Sequence, residues 1–144
     1  MTVEIKVEGL KELQDRLLQL PEKIGNNALA SCLGSAALVI QKEVQKNIHI
    51  AAKDYEIRGK VKVSPGWLKK QVIKKRVRQT KSSAETIITL KDSKHSFFWR
   101  FLEFGTSKMA AKPFMRPSFE AAKQRAVDRF EERLRERLDK EEQK

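Results

Sequence analysis

His49, His95 and Cys32 are the side chains in this sequence best suited to nucleophilic or metal chemistry, and they are too few and too dispersed to supply it. Cys32 has no second cysteine to pair with. It lies in an apolar helical pattern, where a free thiol packs as a small hydrophobe. Asp54, Glu56, Asp92 and Glu103 are scattered, and no spacing brings two of them together as an acid–base pair. A glycine-rich phosphate cradle is also missing. The expectation is a protein that is not an enzyme, with no cofactor and no metal.

The chemistry that the sequence does offer is electrostatic. Of 31 lysines and arginines in the 144 residues, ten fall between Arg58 and Lys81, an interval without one acidic residue. The rest of the chain carries 21 basic and 19 acidic residues, so nearly all of the net charge of +12 belongs to that one segment. Such a concentration attracts phosphate or an acidic protein face. Its candidate contact residues are Lys69, Lys70, Lys74, Lys75, Arg76 and Arg78. A solvated face that only keeps the protein in solution is the plain alternative. Aromatics that could stack on single-stranded bases are absent between Trp67 and Phe97. No helix-turn-helix or zinc pattern is present to read base edges, so any contact with nucleic acid is independent of its sequence.

A second stretch, Phe97 to Pro117, holds six of the ten aromatic residues. Its aromatic run, Phe97, Phe98, Trp99, Phe101 and Phe104, predicts a strand. Gly105-Thr106-Ser107 then predicts a turn, with Gly105 at positive φ. Phe104, Phe114 and Phe119 are expected to anchor the junction with the last helix. Met109, Phe114 and Met115 suit either a core or an interface.

These residues need elements to position them. Val3, Ile5 and Val7 alternate with charged residues and predict an N-terminal strand. Leu10, Leu13, Leu17 and Leu20 have helical spacing. A long helix is predicted from Pro21 or Asn26 to Ile48, with Leu29, Leu33, Ala36, Ile40 and Val44 on one face and small residues beside them. Residues 50–63 have no clean period and read as a loop with a short strand near Lys60–Val63. Pro65-Gly66 is a turn signal, and Trp67-Leu68 opens a helical turn or a strand. Val72–Gln79 and Glu85–Lys91 predict a hairpin, to which the aromatic run would add the third strand of a meander. From Pro117 to about Glu142, Phe119, Ala122, Ala126, Phe130, Leu134 and Leu138 form the apolar stripe of a charged helix. Residues 139–144 are expected to be solvated and frayed. The predicted fold is one α+β domain over 1–144: a small, mostly antiparallel sheet packed against a long central helix and a long C-terminal helix. No segment is apolar enough to span a membrane, and Met1-Thr2-Val3-Glu4 does not read as a signal peptide.

EFGT at Glu103–Thr106, followed by PFMRPSFE from Pro113, and the upstream turn Ser64-Pro65-Gly66-Trp67-Leu68 together resemble the tail-completion, or head–tail joining, family of long-tailed non-contractile phages. The resemblance covers most of the chain; residues 50–63 depart from it. It implies a structural protein of the virion neck, assembled in the host cytoplasm, that forms a homo-oligomeric ring at the head-proximal end of the tail, a hexamer being one arrangement. Its implied neighbours are tail-tube, tail-terminator or head-connector proteins, with genomic DNA passing through. It also implies that Glu103, Phe104, Gly105, Thr106, Met109, Phe114, Met115 and Arg116 lie near subunit contacts. The alternative function is a small DNA-binding protein without sequence preference.

Overall fold

The computed structural model describes residues 10–48, 55–57, 61–79, 84–91, 99–108 and 110–144. In chain order its elements are α1 (Leu10–Leu18), α2 (Glu22–Asn47), β1 (Tyr55–Ile57), β2 (Val61–Val63), α3 (Trp67–Lys70), β3 (Val72–Gln79), β4 (Ala84–Leu90), α4 (Trp99–Phe104) and α5 (Met115–Glu142). The protein is α+β and mainly helical. Its strands form two separate antiparallel pairs, β1 with β2 and β3 with β4.

α2 is the central element, because α5 packs on one part of it and the β3–β4 hairpin on another. Small residues permit this. Ala36 of α2 and Ala122 and Ala126 of α5 are buried in one cluster with Ile40, Val44, Leu68, Val72, Leu90 and Phe114. Alanines on both helices let two long axes approach closely without the rotamer cost of larger chains. α1 closes the far end of the helix pair: Leu13 is buried against Cys32, Leu134 and Leu138. Phe130 packs against both clusters and joins them. Cys32 is fully buried, as its apolar neighbours predict, and burial pushes its thiol pKa up.

In the hairpin, Val72 pairs with Leu90, and Lys74 with Ile88. Alternation therefore sets Val72, Lys74, Ile88 and Leu90 on one face and Ile73, Lys75, Ile87 and Thr89 on the other. Val72 and Leu90 are buried and Ile88 packs on the core, whereas Lys75 and Ile87 are exposed. A register shift lies between Arg76 and Arg78.

Three expectations meet a different outcome. Trp99–Phe104 is a helix and not the third strand of a meander. Trp99, Leu102 and Glu103 turn inward while Arg100, Phe101 and Phe104 are exposed, which is the i, i+3, i+4 spacing of a helix beneath an aromatic composition that favours strands. Phe104 is 70% exposed and does not anchor the core, whereas Phe114 is 1% exposed and does. The short strand expected near Lys60–Val63 is β2, but residues 55–57, expected as loop, form its antiparallel partner β1. The predicted N-terminal strand, with Phe97, Phe98 and Met109, lies outside the described residues.

Candidate interaction surfaces

The EFGT and PFMRP residues meet at one corner, and the sequence dictates how. Gly105 has φ 74°, the left-handed region predicted for it, and its N–H still donates to Phe101 O at 2.8 Å. A glycine there ends α4 without the steric penalty of a Cβ. The chain then doubles back until Lys112 N donates to Leu102 O at 2.7 Å.

That return sets the Glu103 carboxylate at the start of α5. Oε2 accepts from Phe114 N at 2.8 Å and from Met115 N at 2.9 Å, and Oε1 accepts from Arg116 N at 3.0 Å. The next residue, Pro117, has no N–H. All the backbone donors that the first turn of a helix leaves unpaired are thus satisfied by one carboxylate and one proline. A negative charge there also complements the helix dipole. Phe114 underpins the corner, with Trp99 edge-on to it at 6.4 Å between ring centroids. Ser118, also buried, donates to Phe114 O and accepts from Asn47 Nδ2 of α2 at 3.0 Å.

Of the residues expected at subunit contacts, Glu103 and Phe114 are buried and occupied within the chain. Met115 is half-buried, Gly105 half-buried, and Phe104, Thr106 and Arg116 are exposed. Thr106 Oγ1 accepts from Lys108 N at 3.2 Å, which keeps the turn tight. The corner therefore has a helix start whose backbone donors are paired, a buried Trp99 Nε1 with no partner among the described residues, and an outer face that presents aromatic surface. Phe101 is 46% exposed and Phe104 70%, three residues apart on α4 and so on adjacent positions of one helix face.

The basic segment presents a different surface. Lys69 and Lys70 on α3, and Lys74 and Lys75 on β3, are all exposed. Lys74 Nζ donates to Gly34 O of α2 at 3.1 Å, so this one lysine lies along the helix and ties hairpin to α2. Lys69, Lys70 and Lys75 have no ion pair among the described residues. Arg76 and Arg78 belong to β3, with their side chains outside the described residues.

A third feature corresponds to no single motif in the sequence. Because α5 and β4 both pack on α2, a groove of about 310 Å³ is left between them. Its walls include Leu33 and Ile40 of α2, Ile88 of β4, and Phe119, Val127 and Phe130 of α5. Its helix walls come from the apolar faces of α2 and α5 that the sequence predicts, among them Leu33, Ile40, Phe119 and Phe130. Among the described residues no group of histidine, cysteine and carboxylate side chains could hold a metal ion, and no helix is long and apolar enough to cross a membrane. No family model, no curated protein and no solved structure matches this chain. The resemblance to tail-completion proteins rests on the EFGT, PFMRP and SPGWL residues themselves.

Proposed function

We propose that this chain is a structural component of a phage neck, a tail-completion or head–tail joining protein that assembles into a ring at the head-proximal end of the tail. The observation that supports this reading is the corner at α4–α5. A corner in which Glu103 takes up the backbone donors of the α5 start holds an aromatic helix face at the surface, with Phe104 70% exposed. Exposing a phenylalanine to water has no benefit to the isolated fold, and aromatic residues are enriched where protein surfaces meet. Glu103, Phe104 and Phe114 of this corner are also among the residues that carry the family resemblance. Copies of the chain are the first partners in this reading, and tail-tube, tail-terminator or head-connector proteins flank the ring.

Phe104→Ser tests it. Tails assembled without this chain are mixed with the purified protein and with DNA-filled heads, and joined particles are counted. The parent is expected to restore joining and to form rings on the tails. The variant is expected to melt like the parent, because Phe104 is outside the core, and to fail in both. A parent protein that neither binds tails nor restores joining overturns the reading, as does a variant that performs like the parent.

A further inference from the structure

The described lysines of the basic segment make no ion pair that accounts for their charge. Lys74 makes a bond to the Gly34 carbonyl, but Lys69, Lys70 and Lys75 are exposed and carry no ion pair among the described residues. α5 is as densely charged, yet five of its eight cations are matched. Lys123 pairs with Glu120 at 2.8 Å, Arg125 with Glu43 at 2.9 Å, Arg129 with Glu132 at 3.3 Å, Arg133 with Glu136 at 3.1 Å and Arg135 with Glu131 at 3.0 Å. Matched charges cancel beyond about a Debye length, roughly 8 Å at physiological salt, while unmatched ones project a field.

The surroundings of the three lysines narrow the partner. Among the described residues no large apolar side chain from Ser64 to Lys75 is exposed, and one exposed isoleucine, Ile87, faces Lys75 across the hairpin. Protein interfaces have an apolar centre inside a polar rim, and a single isoleucine beside three lysines is mostly rim. Trp67 packs on the core, so no aromatic face is offered there for a base to stack on. α3 is a single turn and cannot serve as a recognition helix. What remains is contact with a regular array of phosphates, which requires cations and nothing else.

We propose that α3 and the first half of β3 form a docking surface for the phosphate backbone of duplex DNA, through Lys69, Lys70 and Lys75 and without base readout. This goes beyond the ring assignment and does not depend on it, since the lysines are presented by the single chain.

The test is fluorescence anisotropy of a labelled mixed-sequence DNA duplex, titrated with the full chain from about 50 to about 200 mM salt, the range over which a protein that neutralises several phosphates loses most of its affinity. The expected result is binding whose log–log salt slope falls by about 2.7 in Lys69→Gln/Lys70→Gln/Lys75→Gln, at about 0.9 for each phosphate no longer neutralised. A variant of α5, Lys123→Gln/Arg129→Gln/Arg135→Gln, is expected to keep the parental slope. Should the triple lysine variant fail to fold, Lys69→Gln/Lys70→Gln alone is expected to reduce the slope by about 1.8. No binding at the lowest salt, a slope unchanged by the lysine substitutions, or polyglutamate competing with the duplex more strongly than unlabelled duplex does, each overturns the proposal. The last of these outcomes would point to an acidic protein face.

Discussion

The carboxylate of Glu103 meets three backbone donors within 3.0 Å, whereas Lys69, Lys70 and Lys75 meet no carboxylate among the described residues. Both regions are short, carry charge and lie close to turns that hold a left-handed glycine, Gly105 at φ 74° and Gly66 at φ 81°. They differ in where the charge is used. At the α4–α5 corner it is buried and spent on the chain's own backbone, so it specifies geometry. On α3 and β3 it stays in water, so it adds little to the fold and remains available to a partner. The difference teaches that charge density alone does not mark a binding surface; the fraction of charge left unmatched does.

If that contrast holds, the largest effect on stability among polar substitutions belongs to Glu103→Ala. It strands the N–H groups of Phe114, Met115 and Arg116 at a buried helix start. Hydrogen bonds to a charged group contribute about 1.5–3 kcal/mol and losing a helix cap costs about 0.5–2 kcal/mol, so a total loss of about 3 kcal/mol is expected. Urea denaturation followed by circular dichroism measures it. Glu103→Gln, which keeps an acceptor oxygen but not the charge, is expected to lose about half as much. A Glu103→Ala protein as stable as the parent would mean that water replaces the carboxylate and that the corner is not rigid.

That corner also shows what sequence reasoning reaches and what it misses. Period and punctuation locate both long helices, the end of α2 to within a residue and its start at the Pro21 alternative, because Ala36, Ile40 and Val44 on α2, and Ala122, Ala126, Leu134 and Leu138 on α5, recur at helical spacing. The left-handed Gly105 follows from its place after a terminated run. α4 escapes because its aromatic composition favours a strand and its length gives the helical period little room: with six residues, its inward set is only Trp99, Leu102 and Glu103. The cap escapes for a stronger reason. Glu103 and Phe114 are eleven residues apart, and only the return of the chain through Gly105 brings them together. A carboxylate ahead of a proline-framed helix start is the signal for it, and the same signal suits a subunit contact as well as a partner for the three N–H groups between the prolines. The α5–β4 groove depends on how two elements sit on a third, which no local pattern encodes.

Backbone substitutions probe the same contrast at about a third of that size. Gly105→Ala forces a Cβ into the left-handed region and is expected to cost about 1 kcal/mol. Gly34→Ala is expected to act in the opposite direction. Gly34 lies inside α2, and a Cβ there would meet only Lys74 Nζ, at an ordinary 3.8 Å. The gain in helix propensity is about 1 kcal/mol, with the Lys74 bond to the Gly34 carbonyl retained. Thermal melts of the two variants should therefore move to opposite sides of the parent. A lower melting temperature for Gly34→Ala would show that α2 and β3 pack too closely to admit a methyl group.

Acid titration reaches a smaller effect. The Arg125 guanidinium, bonded to Glu43, holds that carboxyl below its usual range, with Asn47 as a second donor. A depressed carboxylate pKa stabilises the fold at pH values above the unfolded pKa of about 4.3, and the contribution is lost as pH falls through the folded value. Arg125→Ala should thus be slightly less stable than the parent at neutral pH, and the two should converge in acid. Curves that stay parallel down to low pH would remove the pair from the stability of the α2–α5 packing. High salt should narrow the gap at neutral pH, because Arg125 is mostly exposed.

The smallest expected effect is the most informative about the basic surface. Lys69→Gln/Lys70→Gln/Lys75→Gln removes three exposed charges that no described group pairs with. Exposed charges of this kind change stability by about 0.5 kcal/mol or less. The sign follows from the company they keep: ten cations lie between Arg58 and Lys81 with no acid among them, so each added charge works against its neighbours. Removing three should leave the melting temperature unchanged or slightly raised in dilute salt, and indistinguishable from the parent once salt screens the repulsion. Melts at low and at high ionic strength, read beside those of Glu103→Ala, make the measurement. A clear loss of stability at both salt concentrations would show that these lysines serve the fold as Glu103 does, and the contrast between the two regions would disappear.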